Sequence, residues 1–175
     1  SQVDILGVSS GAPYGYSIGY KLPEKVGNIF ILSGIPALYD EIVLSDWPYE
    51  PIHDLSMSAL EGLVHQIFFS NLTAEDLKRN DLRDSLMNHG FGVAQDLRLR
   101  FMEWGFCSPD VKCRVWMQHS KSDESVPYLT GVGTSEFLPK CHLELLDSGP
   151  HFSREILDNF IENSIIPNYG LRKYP

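Results

Sequence analysis

Residues 3–34 read VDILGVSSGAPYGYSIGYKLPEKVGNIFILSG, and the order of elements in this stretch decides the fold. The mostly apolar run Val3–Val8 is short and has no cap or turn before it, and it reads as a buried strand. The segment after it, from Ser9 onward, is a helix with Pro13 tolerated in its first turn and Pro23 stopping it. Residues 26–33 (VGNIFILS) form a second buried strand, ended by Gly34 and Pro36. Strand, sharp turn, helix and strand make a parallel crossover unit.

Working outward, the pattern changes after Ile35. Pro-punctuated loops and amphipathic helices such as SALEGLVHQIFFSNL, TAEDLKRNDLRDSLMNHG and GVAQDLRLRFMEWG fill residues 37–104, which read as an inserted helical cap. Strand character returns at Val111–His119, followed by a helix over 126–138, a strand over 142–146 and a helix over 153–165. The fold class is therefore α/β, a parallel sheet of about four strands with flanking helices plus the cap. Its core comprises residues 1–36 and 105–175.

The turn between the first strand and its helix carries chemistry. Gly7-Val8-Ser9-Ser10-Gly11 fits G-x-S-x-G at the strand-to-helix position that the motif needs. A serine there is lifted above the sheet on a strained turn, and Gly7 and Gly11 are expected to relieve crowding around it. The following helix points its N-terminus at the same place, so the backbone amide of Ser10 is positioned to stabilise an oxyanion. A serine hydroxyl needs a histidine to take its proton, and His151 follows the strand HLELL in the turn DSGPHFS. The histidine needs a carboxylate, and Asp123 follows the strand VKCRVWMQH in the loop HSKSDESVP. Each residue alone has a plain structural use in a turn or cap. Together they sit on three separate strand-to-helix turns at one sheet edge, in the order Ser, Asp, His.

Composition excludes several classes. A total of 14 Lys and Arg against 23 Asp and Glu leaves a formal charge of −9, which repels phosphate backbones, so nucleic acid is not an expected partner. No stretch reaches the roughly 20 apolar residues of a membrane helix, and the N-terminus lacks the order of a signal peptide; a cytoplasmic chain with no membrane partner is expected. Cys107, Cys113 and Cys141 lack metal-ligand spacing and are expected as reduced core residues. His53, His65, His89 and His119 also lack that spacing, so neither metal nor cofactor is expected. Trp104, Phe106, Phe68, Phe69 and Trp47 could line an apolar pocket, although aromatic residues in a helical lid more often form its own core.

GVSSGAPYGYSIGYKLPEKVGNIFILSG resembles the nucleophile-turn segment of α/β-hydrolases of the proline iminopeptidase and epoxide hydrolase-like type, and SDESVP and GPHF are similar to their acid and histidine loops. The resemblance covers residues 3–36 and 104–165. It implies Ser9 as nucleophile, Asp123 as acid and His151 as base of a serine hydrolase, acting through an acyl-enzyme on an ester, amide or thioester. It argues against a dehalogenase or epoxide hydrolase, which use an Asp where this chain has Ser9. Ser120 departs from the family's Gly before the acid loop, and Pro150 departs from its Gly before the histidine. The resemblance also implies that the chain holds the C-terminal half of the fold, without the strands that precede the nucleophile and the loop that supplies a second oxyanion amide. The strand at residues 3–8 then lies at an edge, and either homo-oligomerisation through it or a requirement for an N-terminal partner chain is expected. The alternative is a catalytically silent homologue that binds a small ligand or a protein partner.

Overall fold

A computed structural model describes residues 2–44, 47, 52 and 54–169, the side chain of Ile42 excepted. Four strands, β1 (Val3–Val8), β2 (Val26–Leu32), β3 (Arg114–Ser120) and β4 (Cys141–Leu146), form one parallel sheet in chain order. The helices are α1 (Ala12–Lys21), α2 (Glu41–Leu44), α3 (Met57–Val64), α4 (Asn80–Met87), α5 (Phe91–Arg100), α6 (Tyr128–Phe137) and α7 (Arg154–Phe160). The chain divides into two compact units, residues 1–48 with 103–175, and residues 49–102.

The first unit is built on β2 and β3, the strands paired on both sides. Successive side chains of a strand point to opposite faces. Ile29 and Ile31 of β2, with Val115 and Met117 of β3, therefore join Ala12 and Tyr16 of α1 in one buried cluster. Phe30 and Leu32 of β2 join Phe160 in a second cluster, with Trp116, Ile156 and Leu157 against it. Both faces are covered, which is why these strands read as continuous apolar runs. Helix α1 comes close to the sheet through its glycines. A Cβ on Gly19 would stand 2.5 Å from Ile29 Cδ1. Pro13 sits in the first turn of α1, where its missing amide hydrogen costs nothing.

Residues 37–44 belong to this unit because Ala37, Tyr39 and Val43 pack into the first cluster, with Trp104 stacked on Tyr39 at 5.1 Å between ring centroids and Phe106 edge-on to Tyr39 at 5.3 Å. The contact boundary therefore falls at residues 48 and 103 and not at 36 and 105. Strand β3 begins at Arg114, three residues later than the apolar run suggests. Ser108–Asp110 form a tight turn, in which Asp110 accepts the Cys107 amide at 2.9 Å, and pairing starts only where Arg114 meets Asn28. That turn also corrects the expectation for the cysteines. Cys113 is buried and Cys141 half-buried, but Cys107 is exposed at the turn's entrance; all three are free thiols. The last helix is α-helical to Phe160, then widens over Ile161–Ile165 and tightens over Ile166–Tyr169.

The second unit is helical, with its own core of Leu60, Val64, Phe69 and Ala94. Ser56 caps α3 by accepting the Ala59 amide at 3.2 Å. The helix expected over 73–90 breaks, because Asp76 accepts both the amide and the hydroxyl of Thr73, which favours a short tight turn at Asp76–Lys78 before α4. Phe69 is buried in this core, whereas Phe68 is exposed. Among the described residues no helix is long and apolar enough to cross a membrane.

Strand β1 ends the sheet, and Val3 and Leu6 on it are 58% and 44% exposed. An unpaired apolar edge is a template for another strand. We propose that a chain of residues 1–175 alone associates through residues 3–8, and Leu6→Lys is expected to reduce that association. A monodisperse monomer in multi-angle light scattering at high concentration would count against it.

Candidate active site

The site is assembled at the C-terminal edge of the sheet, because parallel strands all deliver their following loops to the same side. The register aligns Val8 with Leu32, Leu32 with Gln118, and Ser120 with Leu146. The loops after β1, β3 and β4 thus start at nearly one level.

Ser9 follows β1 directly and has φ of 51°, a left-handed conformation that a side-chain-bearing residue adopts only under constraint. The constraint is visible on both sides. The Ile35 amide donates to the Ser9 carbonyl at 3.1 Å, which ties the turn to the loop after β2. On the other side, a Cβ on Gly7 would stand 2.9 Å from Ile31 Cδ1 and 3.1 Å from the Gly11 carbonyl oxygen. Gly11 differs from expectation. Nothing lies within 4 Å of a Cβ built on it, and its φ of −74° is ordinary, so its carbonyl crowds Gly7 while its own α-carbon faces open space. Ser10 is next in the tight turn Ser9–Gly11 that leads into α1, which keeps its amide at the helix N-terminus.

Asp123 lies in the loop between β3 and α6 with its side chain fully buried. Burial by itself raises the proton affinity of a carboxylate. The opposing interactions win: the Val126 amide donates to Oδ1 at 2.9 Å, His151 donates to Oδ2, and the Ser125 amide donates to Oδ1 at 2.8 Å. Together they hold the Asp123 carboxyl below its ordinary range. A carboxylate more acidic in the folded chain than in the unfolded one stabilises the fold above its unfolded value of about 3.9, and that stability is lost as pH falls through its folded value.

His151 bridges the other two residues. Its Nδ1 donates to Asp123 Oδ2 at 2.7 Å, and the Ser9 hydroxyl donates to its Nε2 at 2.8 Å. The three side chains thus form one continuous chain of hydrogen bonds between residues separated by 142 and 28 positions in sequence.

The two departures at these loops have structural accounts. Ser120 donates its hydroxyl to the Gly149 carbonyl at 2.8 Å. Ser122 donates to the same carbonyl at 3.1 Å and accepts the Gly149 amide at 3.0 Å. Two serines therefore clip the acid loop to the histidine loop. Gly149 has φ of 149°, so the unusual backbone conformation falls one residue before Pro150, and the proline needs no glycine in its place.

One neighbour was not legible as part of the site. His119, the penultimate residue of β3, has its Nε2 2.9 Å from the Val126 carbonyl and 3.1 Å from Asp123 Oδ2. Its position four residues before Asp123, at the end of a strand, is the only sequence signal for this contact. His53 lies outside the described residues. Among the described residues, no group of three His, Cys, Asp or Glu side chains could hold a metal ion.

The sheet and its helices match solved α/β-hydrolase structures. An alpha/beta hydrolase enzyme from a Medee basin deep-sea metagenome library is 14% identical with a TM-score of 0.58, over 99% of this chain and 67% of that one. An esterase from Exiguobacterium antarcticum is 19% identical with a TM-score of 0.60, over 97% and 66%. A bromoperoxidase from Bacillus anthracis is 15% identical with a TM-score of 0.55, over 97% and 68%. The chain therefore has the α/β-hydrolase fold, and it spans about two thirds of the length of these structures. No protein-family model and no curated protein sequence matches it.

The contrast between the two glycines is testable. Gly7→Ala must displace Ile31 or the Gly11 carbonyl, and is expected to cost about 1–3 kcal/mol. Gly11→Ala meets nothing and is expected to change stability by less than about 0.5 kcal/mol. Urea unfolding midpoints of the two variants measure the difference, and equal midpoints would refute the assignment.

Proposed function

We propose that this chain is a serine hydrolase that cleaves an ester, amide or thioester of a small-molecule acyl substrate through an acyl-enzyme. The observation that carries the reading is the continuous hydrogen-bonded path from Ser9 Oγ through His151 to Asp123, 2.8 Å and 2.7 Å long at its two links. In this reading Ser9 is the nucleophile on its strained turn, His151 the general base and Asp123 the group that fixes the imidazole tautomer. The acid and histidine loops resemble those of the proline iminopeptidase and epoxide hydrolase-like branch.

The steps follow from these positions. Ser9 Oγ attacks the substrate carbonyl carbon while its proton passes to His151 Nε2, and the resulting oxyanion accepts a hydrogen bond from the Ser10 amide. The bond to the leaving group breaks as His151 returns the proton to it, leaving Ser9 acylated. Water then attacks the acyl carbon, giving its proton to His151, and the bond to Ser9 Oγ breaks as His151 returns that proton to Oγ, releasing the acid and restoring the serine. Asp123 remains ionised throughout, which its buried donors favour.

A fluorophosphonate probe is expected to label the purified chain at Ser9, and Ser9→Ala and His151→Ala are expected to abolish labelling. Asp123→Asn preserves size but imposes the wrong tautomer on His151, so labelling is expected to slow by about 10,000-fold. A folded wild-type chain that never labels would overturn this reading and favour a silent ligand-binding or partner-binding homologue.

A further inference from the structure

The acid of the site has a second histidine beside it, and that histidine is built into the loop in a way that packing alone does not require. His119 is 1% exposed. A carbonyl oxygen only accepts, so the 2.9 Å contact to the Val126 carbonyl places the imidazole hydrogen on Nε2. Nδ1 is then bare, and it is buried with no hydrogen-bond partner. Helix α6 keeps it so, because a Cβ on Gly131 would stand 3.0 Å from Nδ1. Gly131 thus leaves room for the ring that a side chain on α6 would take up.

The Val126 peptide is held at both ends. Its carbonyl accepts from His119, and its amide donates to Asp123 Oδ1 at 2.9 Å. The same Nε2 lies 3.1 Å from Asp123 Oδ2, the oxygen that accepts from His151. The imidazole, the Val126 peptide and the carboxylate therefore form a closed ring of contacts, and the carboxylate cannot rotate without opening it. A core histidine present only for volume could be replaced by leucine with little effect on the site, whereas a strut could not.

We propose that His119 is a positioning residue, which sets the rotamer of the Asp123 carboxylate that faces His151 through the Val126 peptide and its own Nε2 edge. The inference rests on the serine-nucleophile reading for its effect on labelling, but its structural content stands apart from that reading. A displacement of the order of an ångström in such a chain costs about 100-fold in rate.

The test compares fluorophosphonate labelling of wild type, His119→Leu and His119→Gln, resolved into the inactivation rate constant and the probe's binding constant. His119→Leu is expected to lower the rate constant by about 10-fold to 100-fold with binding unchanged. His119→Gln keeps an N–H donor near Nε2 and is expected to recover most of the rate. A folded His119→Leu chain that labels at the wild-type rate would overturn the proposal. Proton NMR supplies a readout independent of activity, the low-field resonance of the hydrogen between His151 Nδ1 and Asp123. It is expected in wild type and His119→Gln and lost in His119→Leu; its persistence in His119→Leu, or its absence from wild type, overturns the proposal even if no chain labels. Should His119→Leu fail to fold, Gly131→Ala displaces the ring from the Nδ1 side, and an unchanged rate and resonance there would overturn it equally.

Discussion

Parallel pairing across β1, β2, β3 and β4 is the constraint on which the remainder depends. Because all four strands run the same way, the residue after β1, the loop after β3 and the loop after β4 emerge at one edge. The β2–β3 pairing carries the heaviest demand, since it joins segments separated by the whole helical unit. Its stability comes from apolar alternation, with Ile29 and Ile31 facing one layer and Phe30 and Leu32 the other. Burying side chains of that size contributes about 1.5–3 kcal/mol each.

On that platform the site is a problem of holding one buried carboxylate. A carboxylate removed from water is costly unless its oxygens are satisfied. Asp123 meets the cost with two amides on one oxygen and His151 on the other. These partners also restrict its direction, so the electrostatic requirement and the geometric one are met by the same contacts. The clip of Ser120 and Ser122 on Gly149 adds a link between the loops that carry the acid and the histidine.

Ser9, like Ser33 and His89, has a left-handed backbone, and of the three it is the one that bears the candidate nucleophile. Its left-handed backbone is held by Ile35 from one side and by the close fit of Gly7 on the other. Such strain persists only where the surroundings over-determine it. Here they are a sheet strand, a helix start and the loop after β2, all parts of the first unit.

The fold and the identity of Ser9, Asp123 and His151 as candidates were legible in the sequence, because apolar periodicity marks strands and helices locally and each candidate sits at a strand-to-helix turn. The motif also led to the expectation that Gly7 and Gly11 both relieve crowding, which the structure bears out for Gly7 alone. The sequence by itself did not distinguish Gly7 from Gly11, since whether a Cβ meets another atom depends on neighbours from β2 and the next turn. It placed residues 37–44 with the insertion, whereas Ala37, Tyr39 and Val43 pack with the sheet unit, a matter of which apolar surface is in reach. Only the tertiary structure decided the hydrogen-bonded path among the three side chains, the serine clip on Gly149 and the contact of His119 with Asp123. Those depend on directions and distances of a few tenths of an ångström, which spacing along a chain does not encode.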